Sequence, residues 1–450
     1  MNHPKRRGVS VGTVIMLALT SVVLVLSIII LPRLMSTDKL RLSVSRLQNS
    51  TRLSSEIPGL EPVDIPIADA TATPPAAVTP VVSATPAEVA TPIPAPTATP
   101  VPASSSTITI TIGGTVEIDE TLRSGAYDSD TGNYDFTKML SLLADEMRTD
   151  LSFVSLLNIT DGTSSVSAVN APASVMDMLS AAGIDAISLA YPNAYDKGIA
   201  GIQATVSEAH ARNLCVSGVY PTETEAQALP IFSANGIDVA YQSYTDVISS
   251  SGKKALRSDG NAYALPVIQT ASGVADGAAA DIRAARAMGA EIVIVTLNWS
   301  DSHTKSSARQ KIYDQLAAAG ADVIINTGSR NVQGVSWLTT TREDGTTAQT
   351  LLASSLGSIL NGSRKDASVA GMLLQLEISC TGSSVSFKRV CYTPTYIWRY
   401  KQDGQYQYRV TPSDLTPPNN MSDDQTSYMQ KAYRNIQKAL DGSPITLRIK

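Results

Sequence analysis

Between residues 180 and 328 one pattern of apolar and polar positions recurs four times: small residues, a glycine, an acidic residue, then a β-branched run. The copies begin at Ala181, Ala234, Met288 and Ala319. Each reads as a helix end with a C-cap glycine leading into a buried strand. That alternation predicts a layered α/β domain, whose strand ends carry the chemistry.

The flanking pattern extends the domain both ways. Residues 107–112 alternate Thr and Ile and predict a strand, followed by Gly113-Gly114. A helix is expected over 137–147, a strand over 151–157, and helices over 174–182, 198–213, 278–288 and 306–319. Residues 246–277 are polar and glycine-rich and read as an insertion or long loop. Residues 372–380 and 385–392 predict a hairpin turning near Gly382 and Ser383, with Cys380 opposite Val385. Residues 425–440 read as an amphipathic helix.

Composition removes the first quarter of the 450-residue chain from any core. Residues 9–31 are 23 positions without a charge, preceded by Lys5, Arg6 and Arg7. This is the length of one membrane-spanning helix, with the basic side kept in the cytoplasm. Pro32, Arg33 and Leu34 follow where a cleavage site would need small residues, so the segment reads as an uncleaved signal anchor. Residues 32–57 are a polar juxtamembrane segment. Residues 58–106 are a Pro, Ala, Thr and Val stalk with repeated Thr-Pro units, expected to be disordered and extended. At about 3.1 Å per residue it reaches on the order of 140 Å. The expected organisation is thus a cytoplasmic tail over 1–8, the anchor, the juxtamembrane segment, the stalk, a domain over 107–400 and a C-terminal extension over 401–450. The folded domain is placed outside the cell membrane. Three cysteines are too few for a disulfide scaffold, and Cys380 and Cys391 are expected as free thiols. A net charge of −5 argues against a nucleic-acid partner.

Several segments, in order, resemble the capsule-synthesis CapA family, the PgsA-type poly-γ-glutamate synthesis proteins. They are Asp196-Lys-Gly198 with Gly201 and Thr205, Asn298-Trp299-Ser300, Gln310 with Gly320-Ala-Asp322, Ser355-Leu356-Gly357 and Thr393-Pro394-Thr395. The resemblance implies an α/β, calcineurin-like metallophosphatase-type sandwich of two mixed sheets flanked by helices. It also implies a metal site at the strand ends, built from carboxylate, Asn and His ligands.

Those ligand positions are replaced. The family's Gly-Asp falls on Gly113-Gly114, and its Asn-Leu-Glu on Ser155-Leu156-Leu157, with Asn158 out of phase. Its Asn-Asn-His falls on Tyr191-Pro192-Asn193, its His-Trp-Gly on Asn298-Trp299-Ser300, and its His-Pro-His on Gly328-Ser329-Arg330. Its Ser-Leu-Gly-Asn-Phe becomes Ser355-Leu356-Gly357-Ser358-Ile359. The chain has three histidines, His3, His210 and His303, too few outside the membrane for a site with several imidazoles. His210 reads as a helix-surface residue and Trp299 as core or cleft wall.

The remnant cleft is therefore expected at Gly114, Asn193, Asp196, Asn298, Asp301, His303, Arg330 and Ser358, with no catalytic residue, metal or cofactor. Asp196 reads as a helix cap. Arg330 reads as the charge that replaces the metal, pairing with Asp196 or Asp301, while Asn193 and Asn298 supply neutral hydrogen bonds. The expected role is a non-catalytic binding or assembly component, partnered by the membrane, a capsule or cell-wall polymer and other envelope biosynthesis proteins. An active hydrolase with ligands from unexpected positions and a purely structural or sensory ectodomain are the competing readings.

Overall fold

The structure, a computed structural model, describes residues 105–161, 167, 169–270, 272–299, 306–343, 345–365, 367–382 and 384–448. The expected anchor, Asp301 and His303 lie outside the described residues. So does the stalk, apart from its last two positions, which open the first strand. No helix among the described residues is long and apolar enough to cross a membrane.

The element order begins β1 (Ser105–Val116), α1 (Glu120–Ala126), β2 (Tyr127–Asp128), β3 (Asn133–Tyr134), α2 (Ala144–Met147) and β4 (Leu151–Leu156). It continues α3 (Ser174–Ala181), β5 (Ala186–Ser188), α4 (Gly198–His210), β6 (Cys215–Ser217), α5 (Glu223–Ala228), β7 (Ile231–Ala234) and β8 (Ile237–Thr245). Then come α6 (Ser250–Asp259), α7 (Asp276–Ala287), β9 (Ile292–Asn298), α8 (Ser306–Ala319), β10 (Val323–Asn326), β11 (Val332–Thr341) and β12 (Thr347–Leu356). The chain closes with β13 (Ser358–Leu360), β14 (Ala370–Thr381), β15 (Ser384–Gln402), β16 (Gln405–Pro412), α9 (Asp423–Ala439) and β17 (Thr446–Leu447).

Fifteen of these strands form two mixed sheets, and β2 and β3 pair as a separate small hairpin. The first runs β16-β15-β14-β1-β4-β5-β6, with β13 beside β1 and β17 beside β15; the second runs β11-β12-β10-β9-β8-β7. Their facing sides share one core. Ile108, Ile110 and Phe153 of the first sheet are buried with Tyr241, Ile294 and Ile325 of the second. The Phe153 ring stacks on Tyr241 at 4.5 Å between centroids, and Phe232 meets Phe153 edge-on at 5.5 Å. The second sheet's outer side, through Val293, Val295 and Ile324, is covered by Ile282 of α7 and by Ile312 and Leu316 of α8. Small residues at Ala278, Ala279 and Ala285 on α7 are buried there and allow close approach.

Three of the four repeated phrases lead from a helix into a strand, at β5, β9 and β10. The copy at Ala234 does not. It is the turn of the antiparallel β7–β8 hairpin, with Asn235 and Gly236 at φ 55° and 76°. Asn-Gly supplies the two left-handed positions that a tight hairpin needs, and this local chemistry overrode the helix reading. Residues 246–277 are likewise not simply a loop: Ser249 accepts from the Gly252 amide and caps α6. The helix expected over 137–147 is reduced to a short 3-10 turn and α2.

The late hairpin has the expected register, Cys380 opposite Val385, and Cys391 lies opposite Gln375. The three cysteines are free thiols. β16 pairs along β15 from Thr395 to Gln402, so residues past 400 complete the same sheet. α9 carries a capping box from Ser422 and Gln425 and buries Met429, Ala432 and Ile436, one apolar stripe. It lies on β14 and β15 and reaches β11 of the other sheet.

Candidate functional site

The strand ends that point toward residues 113–117 carry the positions singled out in the sequence. The β1–β4 pairing shifts register between Ile112 and Thr115, across Gly113-Gly114. A Cβ on residue 114 would stand 2.0 Å from the Gly357 carbonyl oxygen, and one on residue 371 would stand 2.3 Å from the Ser358 oxygen. Gly357 itself has φ 70°. Three glycines therefore let three backbones cross where the family places its aspartate. The Thr115 amide donates to the Gly357 oxygen at 3.1 Å, and the buried Thr115 and Ser358 hydroxyls share a 2.8 Å hydrogen bond.

Ser155, at the family's Asn position, points into the intersheet core. It faces the Tyr241 hydroxyl together with Ser188, Ser243 and Thr296, and burial pushes that phenol up to about 12. The Ser243 and Thr296 hydroxyls are buried without a hydrogen bond of good geometry. Both sheets contribute hydroxyl groups to this point. Asn158 stabilises the segment after β1: its Oδ1 accepts from the Ile118 amide at 2.7 Å and its Nδ2 donates to the Ile118 oxygen at 3.2 Å.

Asn193 and Asp196 meet directly. Asn193 Nδ2 donates to Asp196 Oδ2 at 2.8 Å, and the Ser249 hydroxyl donates to Asp196 Oδ1. Asp196 is thus not a cap of α4. The residue in that place is Lys197, which makes no side-chain cap bond. The carboxylate turns instead toward the N-terminus of α6, whose cap residue it binds. Beside it, burial pushes the Tyr191 phenol well above its ordinary range, with the Asp196 and Glu117 carboxylates adding to the effect.

Asn298 is 7% exposed, and its amide donates to the Thr327 carbonyl and hydroxyl, each at 3.4 Å. Its own carbonyl accepts from Thr245 Oγ1 at 3.3 Å and from the Asp246 amide at 3.3 Å. A Cβ on residue 328 would stand 1.6 Å from the Trp299 oxygen, so an imidazole-bearing residue does not fit there without moving the backbone. Trp299 is buried on Tyr313, ring centroids 5.4 Å apart, as a core residue. His210 is exposed on α4.

Arg330 has a different partner from the one expected. Its guanidinium bonds Glu117 Oε1 at 2.7 Å, with the arginine side chain 52% exposed. The expected Arg330–Asp196 pair is not formed. Asp196 already accepts hydrogen bonds from Asn193 and from Ser249 at the start of α6, and Glu117, carried past the β1 bulge, is the carboxylate that meets the β10–β11 turn. Glu117, Tyr241 and Ser249 were not found by sequence reasoning. Ser249 alone had a local signal, a serine before the small polar start of a helix.

The expected positions thus separate into pairs: Gly114 with Ser358 through the crossing, Asn193 with Asp196, Asn298 with Thr327, and Arg330 with Glu117. Gly114, Asn298 and Ser358 are buried, so they do not line an open cleft. Among the described residues no three His, Cys, Asp or Glu side chains gather as metal ligands. The donors present at the family's ligand positions are hydroxyls, amides and one carboxylate, that of Asp196, which already accepts from Asn193 and Ser249; this set does not fit a dinuclear metal centre.

Fold and site together define a two-sheet α/β domain whose expected site residues pair off locally within the protein. The bacterial capsule synthesis protein PGA_cap family matches residues 109–363, more than half of the chain, and the chain belongs to that family. A solved structure similar to it is that of a hypothetical protein from Thermus thermophilus. That protein is 14% identical, with 65% of this chain and 99% of the other covered at a TM-score of 0.34, too remote for any argument. No curated protein matches the chain.

Proposed function

We propose that this protein is a non-catalytic assembly component of capsular or cell-wall polymer synthesis, derived from a metallophosphatase-like fold. Membership of the capsule synthesis family supports the process. One observation carries the non-catalytic reading: the Gly357 carbonyl fills the space of a side chain at residue 114. A carboxylate ligand there requires β1 and the β12–β13 backbone to move apart. The neighbouring hydroxyls of Thr115 and Ser358 are already committed to each other. Poly-γ-glutamate is the polymer the family resemblance suggests. The uncharged residues 9–31 and the Pro/Thr stalk support a single-pass anchor with the folded domain held outside the membrane.

The test is made in the parent strain and with purified protein. Deleting the gene is expected to lower surface polymer, and the wild-type gene to restore it. Purified protein supplied with manganese, zinc or magnesium is expected to hydrolyse neither phosphomonoesters, phosphodiesters nor poly-γ-glutamate. Metal-dependent turnover of any of these overturns the reading.

A further inference from the structure

The β15–β16 hairpin, α1 and α9 frame a second surface, lined by none of the strand-end positions. A groove of about 810 Å3 is lined by Arg123, Tyr127, Tyr134, Arg399, Tyr406 and Tyr408 among others. A smaller pocket of about 270 Å3 adjoins it through Arg399 and is lined by Arg364, Tyr396, Tyr428 and Lys431. Tyr127, Tyr406 and Tyr428 are 43%, 46% and 55% exposed, and all three face these two spaces. Exposed tyrosine faces gathered in one place are a mark of recognition surfaces.

Several described arginines are paired with carboxylates. Arg212, Arg286, Arg330, Arg342, Arg389 and Arg448 each sit on a carboxylate. In the groove, Arg123 donates to the neutral carbonyls of Ile118 and Ser167, and Arg399 lies 4.3 Å over the Tyr406 ring. Arg364 reaches the buried Tyr396 hydroxyl. None of these three forms an ion pair among the described residues. Glu120 is the one described carboxylate lining the groove, and no described carboxylate lines the smaller pocket.

We infer that this joined surface binds an acidic polysaccharide. Arg364 and Arg399 would take its carboxylates, and Tyr127, Tyr406 and Tyr428 would stack on its sugar rings. A planar guanidinium without a protein carboxylate suits a ligand carboxylate, which it grips with two parallel hydrogen bonds. The tyrosine faces suit the apolar faces of pyranose rings, a feature that a bare polycarboxylate chain lacks. The net charge of −5 makes the local patch, not bulk attraction, responsible for binding. Arg364, Arg399, Tyr406 and Tyr428 all lie beyond residue 363, where the family match ends. Tyr127 lies inside the match, but no strand-end position lines either space, so the site does not depend on how those positions are read.

Calorimetric titration of the full-length protein with oligogalacturonate tests this, with dextran and poly-γ-glutamate as comparison ligands. Oligogalacturonate is expected to bind, more weakly as salt rises, and dextran not to bind. The Arg364→Ala/Arg399→Ala variant is expected to lose at least about tenfold in affinity, the equivalent of a charge-assisted hydrogen bond. Tyr406→Ala is expected to weaken binding, and Arg330→Ala to leave it unchanged. If the double alanine variant fails to fold, Arg364→Lys/Arg399→Lys keeps the charge, removes the fork and is expected to show the same direction of loss. No binding of oligogalacturonate, or undiminished binding by the folded variants, overturns the inference. Equal affinity for poly-γ-glutamate overturns it too, because the tyrosines then read no rings.

Discussion

The carbonyl oxygen of Gly357 lies 2.0 Å from the point where a Cβ on Gly114 would stand. Two backbones touch where the family resemblance places a metal-binding aspartate, and glycine is the residue that permits the contact. The hydrogen bond from Thr115 to the same carbonyl oxygen, at 3.1 Å, holds the crossing in place.

Restoring the family residue should therefore harm the protein. Gly114→Asp is expected to destabilise the domain by about 3 kcal/mol or more, from forced separation of packed backbone and a buried carboxylate. Urea melts of the two proteins measure it. A variant within about 1 kcal/mol of wild type would mean that the crossing opens at little cost.

Arg330 and Glu117 bridge the β10–β11 turn to β1 at the surface, their side chains 52% and 24% exposed. Exposure and solvent screening keep such a pair weak. Arg330→Ala is expected to cost under about 1 kcal/mol. A loss of several kcal/mol would show that the guanidinium neutralises a buried charge after all.

Asp322 is the contrasting case. Its side chain is 2% exposed and accepts from Arg286 at 2.5 Å, Arg342 at 2.7 Å and the Val293 amide at 2.9 Å. Removing it leaves two guanidiniums, about one fifth exposed, facing each other without a counter-charge. Asp322→Ala is expected to cost about 3–5 kcal/mol in the same melts. A near-neutral result would mean that the arginines turn outward to water.

Much of this fold was legible in the sequence. The glycine-acid-β-branched phrase located β5, β9 and β10 because a helix end, a cap and a buried parallel strand impose that order locally. At Ala234 the same letters made a hairpin, because Asn-Gly chemistry acts within two residues and outranks a weak helical pattern. The site was legible in its losses but not in its repairs. That Gly114 and Ser358 stand at ligand positions follows from the motifs. That Gly357 and Thr115 fill the gap depends on strands far apart in sequence. Glu117 as the partner of Arg330 is likewise a product of the bulge in β1, which no local signal sets.

Asp281 gives a pH-dependent prediction. Burial raises its pKa above 3.8, opposed by the hydroxyl of Tyr244, which donates to Asp281 Oδ2 at 2.8 Å. A carboxylate with a raised folded pKa opposes folding when ionised, and the penalty fades as pH falls through that pKa toward 3.8. Asp281→Asn is expected to raise the melting temperature at pH 7. Its advantage over wild type should shrink as the pH approaches 3.8. An advantage that grows on acidification would give the wrong sign.

The central claim is that the family's metal position is filled by the protein's own backbone and hydroxyls. Elemental analysis of protein purified without chelators, paired with thermal melts before and after chelator treatment, tests it most directly. The account predicts transition metal far below one equivalent and a melting temperature that chelators do not move. Stoichiometric manganese, zinc or iron, with a melting temperature that falls when it is removed, would contradict it.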